Sequence, residues 1–333
     1  MTSIGPQAFW NCASLTNVTI PDSVASIGVQ AFWQCTSLVS VTIGTNVANI
    51  GDMAFYQCDN LANASLPNSV TNIGEAAFGI CSLASVSIPS GVASIGENAF
   101  AGCAQLQSIT VDARNKNYSS VEGVLFDKSQ TILIQYPIGK SATYYAIPNS
   151  VASIGPQAFW NCASLTNVTI PDSVASIGVQ AFWQCTSLVS VTIGVNVTNI
   201  GDMAFYNCSS LKSVYFQGNV PSLGSSVFDV DPGPTLYYLP RTAGWGSTLA
   251  GSLAVLWNPS VQTADGSFGV RTNRFGFNIT GTADIPIVVK AATNLSGAPW
   301  IPLLTATLTN GSIYFSDPGW SNYPGRFYRI SSP

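Results

Sequence analysis

The sequence predicts a solenoid of stacked coils, about 23 residues per coil, followed by a small antiparallel β-sandwich. Three observations predict it. Cysteines fall at 12, 35, 58, 81, 103, 162, 185 and 208, so most neighbours are 23 positions apart, a structural period and not the spacing of a site. The same unit surrounds each of them, as in SIGPQAFWNCASLTNVTIPDSVA and SIGVQAFWQCTSLVSVTIGTNVA. Finally, 47% of the residues are hydrophobic and only 8% charged, too apolar for disorder and too poor in charge for an ordinary cytosolic enzyme.

Each part of the unit has a physical reading. Leu15, Val18 and Ile20 recur as Leu38, Val41 and Ile43, and the alternation in LTNVTI reads as a short strand. IPDSV is a turn, because proline fixes φ and aspartate bonds nearby backbone. GPQAFWNC is too short for an independent helix and is expected to form one short helical turn held by packing. One coil cannot bury its own apolar face, so the strands stack into a parallel β-sheet over a continuous core.

Above this period lies a second one. Residues 3–44 are identical to residues 153–194, and the match continues with few changes, such as Gln57 against Asn207. Between Cys103 and Cys162 the period breaks, and the runs GVLFD and TILIQYP joined by DKSQ predict a β-hairpin insertion near 112–147. The stretch 211–257 keeps one strand and then loses the cysteine pattern, as a degenerate last coil and cap would. The solenoid is thus assigned to 1–257. From 258 to 333 the runs FGFNITG, IPIVVKAAT, WIPLLTATLT, GSIYFSDP and GRFYRISS predict the sandwich.

The units AF-x-x-C-x-SL and V-x-IP-x-SV-x-SIG closely resemble the BspA-like class of bacterial leucine-rich repeats, over roughly residues 3–216. The hairpin pattern NYSSVEGVLFDKSQTILIQYP resembles that class too. The endings W-x-PL, FSDP and RFYRI resemble C-terminal modules of secreted bacterial repeat proteins. The resemblance implies a leucine-rich-repeat solenoid, an extracellular or cell-surface location, and protein binding or adhesion. It implies no catalytic residue and no cofactor.

Composition narrows the partners. No Lys or Arg precedes Arg114, and none lies between Lys140 and Lys212, so the coils cannot neutralise phosphates and nucleic acid is excluded. Attachment to anionic lipid falls for the same reason. No apolar run is long enough for a membrane span, and MTSIGPQAFW shows no signal peptide. Histidine is absent, which removes the usual general base and with it Ser-His-Asp and Cys-His chemistry. An enzyme is not expected.

Three ladders remain as candidate sites. Cys12, Cys35, Cys58, Cys81, Cys103, Cys162, Cys185 and Cys208 read as a structural ladder of buried free thiols; parallel Cβ vectors disfavour disulfides, and no zinc spacing exists. Two positions before each cysteine run Trp10, Trp33, Tyr56, Gly79, Ala101, then Trp160, Trp183, Tyr206. These aromatics are either core packing or an exposed stripe for a sugar chain or partner protein. The phenylalanines just before them (Phe9, Phe32, Phe55, Phe78) read as core. Thr19, Thr42, Ser65, Ser87, Thr110, Thr169 and Thr192 form a hydroxyl ladder, either a solvated strand face or a surface for a repeating polymer. Two functions follow: a surface protein that binds a protein or carbohydrate ligand, or a subunit that polymerises head to tail through its solenoid ends. The second rests on a first coil that begins inside a repeat unit without a polar cap.

Overall fold

In the computed structural model the residues described are 2–229, 233–296 and 299–332. The chain is a stacked series of coils with two parallel sheets. Short strands Ser3–Ile4, Ser26–Ile27, Asn49–Ile50, Asn72–Ile73 and Ser94–Ile95 pair in that order. The register is one repeat per step, Ser3 opposite Ser26 and Ser26 opposite Asn49. A second sheet carries the longer strands, with Val18 opposite Val41 and Val41 opposite Ala64. Alternation does the sorting: Ile27, Ile50 and Ile73 point inward and are buried, while their Ser and Asn neighbours face out.

The third side of each coil differs from the expected helical turn. It is a run of tight turns in which Gln7 and Asn11, Gln30 and Gln34, and Met53 and Gln57 all take left-handed φ between 53° and 58°. A left-handed residue every fourth position stops a helix from propagating. It also turns alternate amides sideways. Phe9 N–H donates to Ala31 O at 2.8 Å and Phe32 N–H to Ala54 O at 2.7 Å, while Trp10 and Trp33 N–H bond within their own coil. The segment therefore behaves like a strand toward its neighbour and like a turn toward itself.

Inside, the phenylalanines stack. Phe9, Phe32, Phe55 and Phe78 lie 5.0, 5.1 and 5.2 Å apart between ring centres and are within 9° of parallel. Phe159, Phe182 and Phe205 repeat this at 4.6 and 5.0 Å. The two stacks belong to separate cores, one from Ile4 to Ile109 and one from Val124 to Leu236.

The insertion forms the partition between them. Strands Tyr118–Val121, Val124–Asp127 and Ile132–Gln135 are antiparallel, and Ile132–Gln135 then pairs in parallel with Ser153–Ile154 to restart the solenoid. Within Val124–Asp127, Leu125 packs into the first core and Val124 and Phe126 into the second. One strand thus closes both blocks, because its successive side chains point to opposite faces.

At the other end, parallel pairing continues through Ser213–Phe216, Thr235–Tyr238 and Ser252–Leu256. The hydroxyl ladder changes there: Thr192 is followed by Tyr215 and Tyr237 at the same register. Both tyrosines are buried against Phe277, Ile279, Ile287 and Phe315 of the C-terminal sandwich. That sandwich has a sheet built around Arg274–Thr280 and Ser312–Asp317, and a second built around Pro286–Ala292 between Ile301–Thr307 and Phe327–Ser331. Trp257 fastens the connection by donating Nε1–H to Pro286 O at 2.8 Å.

The duplicated segment offers an internal control on what holds a coil together. Phe9 and Phe159 sit in identical sequence, yet Phe9 is 41% exposed and Phe159 0%, because Phe159 is stacked between Tyr136 and Phe182 while Phe9 stacks on Phe32. Replacing Phe159 by Ala is expected to cost about 3–5 kcal/mol. Phe9→Ala should cost ~1 kcal/mol, in proportion to the smaller area it buries. Urea unfolding of the two variants measures the difference; equal losses would show that coil stacking is not what stabilises the phenylalanine ladder.

Candidate functional site

Outside the phenylalanine stack runs the aromatic stripe, positioned by the same turns. Trp10 is 45% exposed and the other five aromatics are half-buried. Trp10 and Trp33 stack at 5.5 Å, Tyr56 meets Trp33 edge-on at 5.4 Å, and in the second block Trp183 lies 6.0 Å from Trp160 and 6.2 Å from Tyr206. The hairpin brings the two series face to face across the coils that carry Gly79 and Ala101 instead of an aromatic.

Those small residues leave a groove of about 330 Å³. Trp33 and Tyr56 line one end and Trp160 and Trp183 the other, over a floor that includes Ile80 and Ala101. Glu75, Asn98 and Gln157 supply its polar groups, and no Lys or Arg lines it. A Cβ at Gly79 would come within 2.8 Å of the Tyr56 ring, so the glycine lets that ring lie against it. A second recess of about 180 Å³ shares Asn98, Ala101 and Gln157 with the groove. Trp10 and Tyr206 lie beyond the groove at the outer ends of the stripe.

The backbone ladder breaks at the same place. Ala76, Phe78 and Ile80 N–H donate to the coil of Glu97, Ala99 and Ala101, and the next such bond is Tyr136 N–H to Ala158 O. Among the described residues no backbone hydrogen bond runs from 98–102 to the following coil. The short-strand sheet ends here too, where Ile95 N–H donates to the Tyr118 hydroxyl at 2.9 Å.

The indoles at the two ends are not equivalent. Trp33 Nε1–H donates to Gln57 Oε1 at 3.2 Å, and Gln34 Nε2–H shares that acceptor at 2.9 Å. In the second block Asn207 replaces Gln57 and is one methylene shorter. Trp183 Nε1 and Trp160 Nε1 are buried without a hydrogen-bond partner. The residues that sequence reasoning missed are those of the gap, Glu75, Ile80, Asn98 and Gln157. Its signal was present as the interruption at Gly79 and Ala101, but only the hairpin's path shows that the two aromatic runs face each other.

All eight cysteines are free; Cys12 is half-buried and the other seven are buried. Their thiols join the coils, with Cys58 Sγ donating to Phe32 O and Cys185 Sγ to Phe159 O, both at 3.1 Å. Burial pushes the Cys162 and Cys185 thiols well above the usual range, so neither supplies a thiolate at neutral pH. Among the described residues no group of three His, Cys, Asp or Glu is placed to hold a metal ion, and no helix is long and apolar enough to cross a membrane.

Coils, register and ladders define a β-solenoid repeat protein. The model of the BspA type leucine rich repeat region matches six copies over residues 2–132 and 138–231, and the chain belongs to that family. Solved structures agree. A leucine-rich repeat protein from Eubacterium ventriosum is 27% identical with a TM-score of 0.58, covering 71% of this chain and 72% of that one. A leucine rich cell surface protein from Faecalibacterium prausnitzii is 27% identical at a TM-score of 0.53, over 78% and 83% of the two chains. A leucine-rich repeat protein from Bacteroides ovatus is 27% identical at 0.56, over 77% and 64%. No curated protein matches the chain.

Thiol accessibility tests the arrangement directly. A native titration with a thiol-reactive dye is expected to label Cys12 first, with the other seven reacting only on unfolding. Rapid labelling of Cys185 in the folded protein would contradict the buried ladder.

Proposed function

We propose that the chain is a non-enzymatic extracellular or cell-surface binding protein that uses its aromatic stripe to hold a ligand. The observation that carries this reading is the convergence of Trp33, Tyr56, Trp160 and Trp183 on one groove that holds no Lys or Arg. Aromatics that were only core would be covered by neighbouring coils, as the phenylalanines are; these keep a solvent-facing side. Family membership and the likeness to a leucine rich cell surface protein support a surface role. We also propose that residues 1–257 form the binding unit and 258–333 a module for attachment or presentation, docked on Tyr215 and Tyr237.

Replacing Trp33, Trp160 and Trp183 together by Ala tests the stripe. Wild-type and variant protein are applied to an array of purified extracellular-matrix proteins and neutral polysaccharides. Retention of a partner by the wild type, its loss by the variant, and an unchanged circular dichroism spectrum are expected. A variant that binds as well as wild type, or a wild type that retains nothing on the array, sinks the proposal. Should the triple variant unfold, Trp160→Phe and Trp183→Phe, which keep the packing, take its place.

A further inference from the structure

We infer that the groove between the two blocks is a saccharide site, taking one or two rings of a neutral oligosaccharide stacked between Tyr56 and Trp160. The inference rests on the binding role proposed for the stripe and names its ligand class.

Four features select that class. The groove's volume of about 330 Å³ lies within the range of small-ligand sites. Its two ends are aromatic, suited to a ligand with flat apolar C–H faces. Its polar groups are mixed in kind: Glu75 only accepts, and Asn98 and Gln157 both donate and accept. A ligand that serves them must carry donors and acceptors around its rim, as sugar hydroxyls do. Charge removes one competitor: an anion would meet the Glu75 carboxylate and find no Lys or Arg in the groove.

Residues 3–44 and 153–194 are identical, yet at the first difference near the stripe Gln57 satisfies Trp33 and Asn207 does not satisfy Trp183. Of the two positions that break the stripe, Ala101 lines the groove and Gly79 admits the Tyr56 ring beside it.

The test uses the full chain and calorimetric titration with cellohexaose, laminarihexaose, maltohexaose and chitohexaose, each to about 10 mM, with hexaproline as the peptide comparator. Saturable binding of at least one saccharide is expected, accompanied by a change in tryptophan fluorescence. Ala101→Trp, which continues the stripe across the gap, should weaken it at least about tenfold. Trp160→Ala, which removes one of the two stacking faces, should also weaken it at least about tenfold and remains informative if Ala101→Trp misfolds. No saccharide binding, binding unchanged in the folded variants, or binding of hexaproline alone overturns the inference. If the arrayed wild type still holds a protein through its tryptophans while no saccharide binds, only the ligand class is lost. If it holds nothing, the binding role is lost as well.

Discussion

Everything in this chain depends on one constraint: each coil must satisfy its neighbour at a fixed offset of one repeat. Backbone amides bond across on all three sides, phenylalanine rings stack at 5.0–5.2 Å in the first block, and buried thiols donate to the carbonyl of the preceding coil's phenylalanine. The same constraint accounts for the scarcity of charge. Equivalent positions in adjacent coils lie about 4.8 Å apart, where like charges repel. An amide or hydroxyl, in contrast, can bond to its own kind. Gln7 donates to Gln30, Ser40 to Asn17 and Asn72 to Asn49, each within 2.8 Å. Several of the acids are answered by backbone: Asp22 accepts Thr45 N–H, Asp52 accepts Glu75 N–H and Asp202 accepts Ser225 N–H. The neutral surface is therefore a consequence of stacking first, and any selectivity for uncharged ligands is inherited from it.

A perfect repeat would present the same surface at every step and no site anywhere. The hairpin breaks that uniformity while keeping both cores closed, because Leu125 seals one and Val124 and Phe126 the other. The backbone ladder opens at 98–102, the short-strand sheet stops at Tyr118, and the aromatic stripe is interrupted, all within a few coils. The groove lies where the stacking rule is suspended.

Much of this was legible in the sequence. Period, strands, hairpin and sandwich strands follow from apolar alternation and turn residues, which report directly on burial. The turn conformation did not, because its left-handed positions are held by Gln7, Gln30 and Met53, residues that carry no such signal on their own. Tyr215 and Tyr237 were equally silent. As outward residues of strands they look like ordinary surface, and only the docked sandwich shows why two tyrosines follow Thr192. The six stripe aromatics were visible as a ladder, but their division into four that share a groove and two that do not is set by the insertion's path, a long-range fact.

The comparison of the two copies carries the argument one step further. Trp10 and Trp160 occupy identical local sequence; the first is an open end of the stripe and the second a wall of the groove with an unanswered indole N–H. Local sequence therefore does not encode the site. Position relative to the hairpin does, since only the coil that follows the insertion meets the Gly79 and Ala101 gap from the far side. Duplicating a block and joining the copies through an irregular strand pair is enough to convert a uniform stripe into a bounded cleft.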